Sequence, residues 1–263
     1  MPAYLGIKRE KMSSRQNQIV SLVQGQGFVS IDWLARHLAV TPQTVRRDIK
    51  QLAADGLLRR HHGGVDLPMG AENHPYTSRQ VLCLSEKQRI AALLAREIPD
   101  RASCLIGIGT TNEEIAKQLV DRQGLRVITN NLNVAAILGA NEGCEVLIAG
   151  GRIRNRDRCT TGPATVDFIA QFKTDFGILG IGGIDAEGTL LDFDYQDVRV
   201  AQAIIANSRT VFLAADHSKF GRNAMVRLAP LGAVDALFTD RHPIDAIRRL
   251  MKTHRVQLHV AGA

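Results

Sequence analysis

Ser30 to Lys50 reads SIDWLARHLAVTPQTVRRDIK, and this stretch decides what the first quarter of the chain is. Ser30 is a good helix N-cap, and Leu34 and Leu38 fall on one side of the helix it opens. Thr41 caps the next helix, whose first position is Pro42, where the missing N–H would have gone unpaired anyway. Along that helix Val45, Ile49 and Leu52 recur at i, i+4 and i+7 and predict a packed stripe. At about 100° per residue, Gln43, Arg47 and Lys50 share a wedge of roughly 60° on the opposite face, with Thr44 and Arg46 on its flanks. Upstream, Ser13 to Gln24 sets Ile19, Leu22 and Val23 on one side and stops at Gly25 to Gly27, which predicts a first helix packed on the other two.

Two short helices joined by a tight turn, the second with a cationic and amide-bearing face, form a helix-turn-helix. Arg binds guanine bidentately, Gln binds adenine, and Lys and Thr hold phosphates or base edges, so the face suits a DNA groove. Leu57-Leu58 leads on into Arg59-Arg60-His61-His62-Gly63-Gly64-Val65, read as a wing whose Arg59, Arg60, His61 and His62 contact phosphates. A three-helix bundle with an ordinary solvated face is the plain alternative; agreement of caps, stripe and charge favours DNA. Residues 1–65 hold ten Lys or Arg against four acids, a net of +6, while the remaining 198 residues sum to +1. A basic head on a nearly neutral body predicts that the head meets a polyanion, double-stranded DNA, while the body does something else.

Residues 1–12 read as a flexible tail, 13–65 as the winged helix-turn-helix domain and 66–81 as a linker punctuated by Pro68, Gly70, Asn73, Pro75 and Ser78. From 82 to 263 the pattern changes. Apolar runs at Cys104–Ile108, Leu125–Thr129, Glu145–Ala149, Phe176–Ile181, Thr210–Ala215 and Ala236–Thr239 alternate with amphipathic stretches, which predicts a Rossmann-like α/β domain with a parallel sheet. The 263 residues are 45% apolar and only 5% aromatic, and no window approaches a membrane span. No export signal opens the chain, so the cytosol is expected. Cys83, Cys104, Cys144 and Cys159 are too scattered for a zinc site or a redox pair.

In such a sheet the turns after the strands face one edge. Gly109-Thr110-Thr111 follows the first apolar run and opens a helix, offering backbone amides and hydroxyls to a phosphate. Thr129-Asn130-Asn131, Gly150-Gly151 and Gly182-Gly183 close later strands on the same edge, and Asp185, Asp192 and Asp194 could meet hydroxyls of a ligand. Arg152, Arg154, Arg156 and Arg158 alternate, which predicts an exposed basic edge or a subunit contact rather than a phosphate clamp.

Ser30 to Asp48 and Leu58 to Gly64 (LRRHHGG) resemble the N-terminal signature of the DeoR family of bacterial repressors. The resemblance continues through Ile108–Thr111 (IGTT), Val127–Val134 (VITNNLNV), Ala149–Asp157 (AGGRIRNRD), Phe176–Asp185 (FGILGIGGID) and Asp216–Val226 (DHSKFGRNAMV). It implies a C-terminal sensor on a scaffold resembling ribose-5-phosphate isomerase, on which Lys219 holds the ligand. It implies too a homo-oligomer, dimer or tetramer, that binds operator DNA and releases it on meeting a small phosphorylated metabolite. Within the family, the stretches around TNNLNVA and DHSKF are most similar to members that govern glycerol 3-phosphate metabolism, which implies sn-glycerol 3-phosphate as effector. Residues 1–11 precede the point where the family starts. Three positions depart from the family: Gly107 stands in place of an Asp, and Asp197 and Ala201 replace a Glu and a Lys.

Two other readings compete. An isomerase or hydrolase would use Lys219 with Asp185 as an acid–base pair, but no nucleophile elbow, metal-ligand cluster or catalytic carboxylate pair is present, so no catalytic residue, metal or cofactor is expected. An activator in place of a repressor is compatible with the same residues.

Overall fold

The computed structural model describes residues 12–262 apart from Gly27, Gly56, His62 and residues 67–72, and excludes the side chains of residues 24–26. Most of the expected tail, one of the expected wing contacts, His62, and the centre of the expected linker thus lie outside the described residues. The chain forms two compact units, Met1–Leu82 and Cys83–Ala263.

In the first unit, helix α1 (Ser14–Gln26) precedes β1 (Val29–Ser30), α2 (Ile31–His37), α3 (Pro42–Ala54), β2 (Arg59–His61), β3 (Gly64–Asp66) and α4 (Tyr76–Val81). Both caps form as the residue types require: the Ser30 hydroxyl accepts from Trp33 N at 3.2 Å and Thr41 Oγ1 accepts from Thr44 N at 3.3 Å. Ile19, Val23, Leu34, Val45, Ile49, Leu52, Leu58 and Val65 make a single buried cluster. The wing has three strands in the order β1-β3-β2, all antiparallel. Its third strand comes from Val29 and Ser30, a pair too short to show alternation in a sequence. Within the stretch expected as linker, Asp66 ends β3 and Tyr76–Val81 is helical after Pro75.

The second unit is a seven-stranded sheet with helices on both faces. Its elements are α5 (Leu84–Ala95), β4 (Ser103–Ile106), α6 (Thr110–Leu119), β5 (Arg126–Thr129), α7 (Leu132–Leu138), β6 (Glu145–Ile148), β7 (Arg152–Arg154), β8 (Cys159–Thr161), α8 (Pro163–Ile169), β9 (Thr174–Leu179), β10 (Gly183–Ile184), β11 (Thr189–Asp192), α9 (Tyr195–Ala206), β12 (Ser208–Ala214), β13 (Val226–Pro230), β14 (Ala236–Thr239), α10 (Asp245–His254) and β15 (Gln257–Val260). The large sheet runs β15-β14-β12-β9-β4-β5-β6, and every pairing in it is parallel. Strand residues alternate between two cores. Cys104, Ile106, Val127, Ile178, Phe212 and Phe238 pack with α5, α6 and α7, whereas Leu105, Ile128, Leu179, Leu213 and Leu237 pack with α8, α9 and α10. Burial on both faces explains the near-continuous apolar runs. The hairpin β7–β8 and the small sheet β10-β11-β13 were not predicted; their strands of two to five residues carry no readable period.

From β4 the sheet grows one way through β5 and β6 and the other way through β9, β12, β14 and β15. The direction reverses between β4 and β9. Loops leaving the carboxyl ends of these strands diverge there and leave a crevice, the usual ligand position in an open α/β sheet.

A test of the wing follows from Gly64. A Cβ there would lie 2.2 Å from Phe28 Cζ and 2.7 Å from the Val29 carbonyl oxygen. Gly64→Ala is expected to destabilise the first unit by about 1–3 kcal/mol through overpacking. Urea unfolding followed by the fluorescence of Trp33, the sole tryptophan, reads this unit directly; an unchanged midpoint would contradict the packing.

Candidate DNA-reading helix and effector crevice

On α3, Gln43, Arg46, Arg47 and Lys50 are exposed, and among the described residues no ion pair engages the three cations. Asp48, an acid on the same helix, is buried, and Arg15 Nε of α1 donates to its Oδ2 at 2.6 Å. The pair fixes α1 against α3 and removes an anion from the neighbourhood of the cationic face. Thr41 and Thr44 are tied into the cap, their hydroxyls 3.0 Å apart.

The wing divides differently from its expected phosphate-contacting role. Arg60 points out and is exposed, but Arg59 and His61, two residues apart on β2, turn to the other side. Arg59 donates to both carboxylate oxygens of fully buried Asp66, at 3.2 and 2.9 Å, and His61 Nε2 lies 2.7 Å from Asp66 Oδ2 with its side chain 7% exposed. His74 Nε2 approaches the same oxygen at 2.9 Å. Burial alone would raise the Asp66 carboxyl, yet the close approach of His61 and His74 and the hydrogen bonds from Arg59 hold it well below the usual carboxylate range. Arg59 and His61 therefore hold the wing together, a correction that arises because Arg59 is paired in register with Asp66 across β2 and β3.

At the crevice of the second unit, Gly109 adopts φ +130°, caps α6 without a side chain, and faces open space on its Cβ side. The first-turn amides of Thr110 and Thr111 thus carry the positive end of α6 with no side-chain cap. Lys87, reaching from α5, is 2% exposed and donates from Nζ to Thr110 Oγ1 at 2.9 Å. Asp216, 1% exposed, follows β12; its Oδ1 accepts from Ser218 N at 2.9 Å while its buried Oδ2 has no hydrogen-bond partner. Burial would raise the Asp216 carboxyl, but the charges of Lys219 and Lys87 pull it below its ordinary value. Lys219, half-buried in the single turn His217–Lys219, and Lys87 therefore flank one carboxylate. Sequence reading missed Lys87. Its signal was a cation at the spacing of the α5 stripe, three residues before Ile90 and seven before Leu94, where an apolar residue is due.

The other expected contacts divide. Thr129 donates to the Ile106 carbonyl at 2.6 Å and accepts from Asn131 N, and Asn131 Oδ1 caps α7 through Asn133 N and Val134 N. Asn130 Nδ2 holds the Thr160 carbonyl at 2.9 Å, leaving its buried Oδ1 without a partner. Gly150 is open on its Cβ side, whereas a Cβ at Gly151 would meet Thr165 Oγ1 at 2.3 Å. Gly182 and Gly183 are not an open cradle: Cβ atoms there would lie 2.8 Å from Asp192 Oδ1 and 2.0 Å from the Arg222 carbonyl oxygen, so close packing requires glycine at both. Asp185 Oδ1 accepts from Glu187 N and Thr189 N at 3.0 and 2.7 Å, which closes a turn. Asp192 Oδ1 accepts from Phe193 N, and Asp194 caps α9 through Gln196 N and Asp197 N.

The arginine hairpin is likewise corrected. Arg152, Arg156 and Arg158 are exposed, but Arg154 is only 14% exposed and pairs with Asp157, Asp194 and Asp197 at 2.8, 2.9 and 2.6 Å. Burial pushes Asp197 up to about 6 against the opposing pull of Arg154. The Asp that replaces the family's Glu is thus the partner of a buried arginine.

Glu86, His217 and Asp240, and separately Cys83, Asp216 and His217, bring ligand-type atoms within 4.8 Å of one another. Two of the three carboxylates already have cations: Lys87 and Lys219 act on Asp216, and His217 Nδ1 lies 2.8 Å and Arg241 Nε 3.4 Å from Asp240, while Glu86 Oε2 accepts from the Ser85 hydroxyl at 2.9 Å. With two lysines beside an uncapped helix N-terminus and threonine hydroxyls, the crevice suits an oxyanion.

Residues 15–69 match the DeoR-like helix-turn-helix domain and residues 83–241 the DeoR C terminal sensor domain. The glycerol-3-phosphate regulon repressor of Escherichia coli K12 is 48% identical over 250 residues, 95% of this chain and 99% of that protein. The repressor of the same name from Haemophilus influenzae is 47% identical over 248 residues, 94% of this chain and 96% of its own. Among solved structures, ribose 5-phosphate isomerase A of Methanocaldococcus jannaschii aligns over 52% of this chain and 55% of that one, with a TM-score of 0.40 and 12% identity.

Asp66→Asn is expected to cost the first unit about 3–5 kcal/mol, because it strips the counter-ion from the partly buried Arg59. The sign of the pH effect follows from the lowered native value. The contribution of the cluster is complete above the unfolded carboxyl value of about 4 and is lost as pH falls toward the native one. Acid titration of Trp33 fluorescence should therefore show a steeper loss below pH ~4 in the parent than in Asp66→Asn; equal acid profiles would contradict the assignment.

Proposed function

The chain belongs to the DeoR family of helix-turn-helix regulators, and on that premise we propose that it represses genes of glycerol 3-phosphate metabolism and releases its operator when sn-glycerol 3-phosphate fills the crevice of the sensor unit. It is a repressor and not an enzyme, as its near full-length relatives are named. Gln43, Arg46, Arg47 and Lys50 of α3 enter the major groove, and Arg60 of the wing holds phosphate. One such module contacts too few base pairs for genomic specificity, so a dimer or tetramer engages paired half-sites. The protein then works in the cytoplasm, on the nucleoid; among the described residues no helix is long and apolar enough to cross a membrane.

One observation supports the effector class above the others: buried Lys87 on Thr110, facing the same carboxylate as Lys219, at the N-terminus of α6. Two ammonium groups, two hydroxyls and first-turn amides are the donors that a phosphomonoester requires. Gly109, Thr110 and Thr111 would take the phosphate with Lys87 and Lys219, and Asn130 with Gly150 would border the glycerol hydroxyls. Thr129, Asn131 and Gly151 then act at one remove by fixing these loops.

Arg47→Ala is expected to weaken operator binding roughly tenfold to hundredfold, the worth of one bidentate base contact of about 1–3 kcal/mol, with effector binding unchanged. Lys87→Met and Lys219→Met should do the reverse, each lowering effector affinity by roughly tenfold or more through a lost charge-assisted hydrogen bond. Calorimetric titration with sn-glycerol 3-phosphate, fructose 1-phosphate and deoxyribose 5-phosphate checks both the seat and its selectivity. Preference for another phosphoester would overturn the effector assignment, and full affinity in both lysine variants would move the seat elsewhere.

A further inference from the structure

The C-terminal part of the second unit carries a run of positive charge that the sensor crevice does not use. Residues 83–240 hold seventeen Lys or Arg against nineteen Asp or Glu, a net of −2, whereas residues 241–255 hold five against one, a net of +4. The five cations, Arg241, Arg248, Arg249, Lys252 and Arg255, are all exposed. At about 100° per residue, Arg248, Arg249 and Lys252 fall within an arc of roughly 100° on α10, away from Ile247 and Met251, which are buried in the core, and Arg255 is the residue that ends the helix.

Favourable interaction with the helix dipole accounts for Lys252 and Arg255 at the C-terminal end. It does not account for Arg248 and Arg249 a turn further in. Arg248 and Lys252 are moreover like charges at i, i+4, a spacing that weakens a helix. The single acid of the stretch, Asp245, accepts a hydrogen bond from Arg248. Among the described residues, no carboxylate lies within ion-pair distance of Arg249, Lys252 or Arg255, and Arg249 acts on Asp245 only through its field. A lipid surface is a poor occupant, because the apolar side of α10 is already inside the core and has nothing to insert.

We propose that the exposed face of α10 is a second DNA contact, which grips phosphates flanking the operator and adds affinity without adding sequence selectivity. The inference rests on the repressor reading. Once α3 is seated, duplex close to the operator is held at a high local concentration, so a few unspecific ion contacts on a tethered unit become effective.

Full-length protein is titrated against two labelled duplexes, one trimmed to the operator and one extended on both sides, over a range of salt. Parent protein should bind the extended duplex more tightly and with a steeper salt dependence. Arg248→Gln, Arg249→Gln and Lys252→Gln combined should leave the trimmed duplex unaffected and lower the slope on the extended one by about 2–3, near 0.9 for each phosphate released. Arg248→Lys with Arg249→Lys should keep the parental slope. The proposal is overturned if the triple variant matches the parent on the extended duplex, if it loses equally on both, or if the substitutions change the oligomer mass and not the slope. Absence of operator binding by the parent would instead sink the repressor reading.

Discussion

An ammonium group taken out of water must find compensation, and Lys87 is 2% exposed. Leaving it uncompensated would cost several kcal/mol. Its compensation is the Thr110 hydroxyl and the field of Asp216, a carboxylate held ionised by Lys219 and Lys87 together. Around that one carboxylate stand two cations, so the trio keeps a single excess positive charge at the uncapped start of α6. The rest of the sensor unit is arranged to present this spot. The sheet reverses direction beside it, Gly107 N donates to the Ile178 carbonyl at 2.9 Å to join β4 to β9 just below the crevice, and Asn112 Nδ2 holds the Gly107 and Ile108 carbonyls at 2.9 and 3.1 Å.

The first unit follows a similar rule in reverse. Two of its carboxylates are buried against cations, Asp48 onto Arg15 and Asp66 onto Arg59, His61 and His74, while Asp32 on α2 stays exposed. Of the cationic side chains near the reading surface, those that remain outward are Arg46, Arg47 and Lys50 on α3 and Arg60 on the wing. Burying these two acids does two things at once: it locks helix to helix and strand to strand, and it removes two negative charges from beside the outward cations.

Local chemistry was legible in the sequence, and long-range pairing was not. Caps at Ser30 and Thr41, the stripe of Val45, Ile49 and Leu52, and the apolar runs of the parallel sheet each depend on neighbours a few residues away, and each element formed as the residues predict. Lys87 and Thr110 are 23 residues apart, and Arg154 and Asp197 are 43 apart. Nothing in either local stretch announces the partner. Glycine misled for another reason. Gly109 and Gly182 look alike in a sequence, but one borders open space while the other is forced by a neighbour at 2.8 Å; only packing separates a cradle from a contact. Asp185 and Asp194 show no turn or cap in the sequence alone, because turn closure and helix capping occupy the same residue type as ligand binding.

A repressor of this design requires that the phosphoester and the operator prefer different states of one chain, since a ligand shifts an equilibrium only by its differential affinity. Fluorescence anisotropy of labelled operator on the full-length protein, repeated across a titration of sn-glycerol 3-phosphate, measures that difference directly. The account predicts an operator Kd that rises by about 5- to 150-fold, a coupling of roughly 1–3 kcal/mol, and levels off once the crevice is filled. An operator Kd that stays constant while the same protein is saturated with the phosphoester would contradict it.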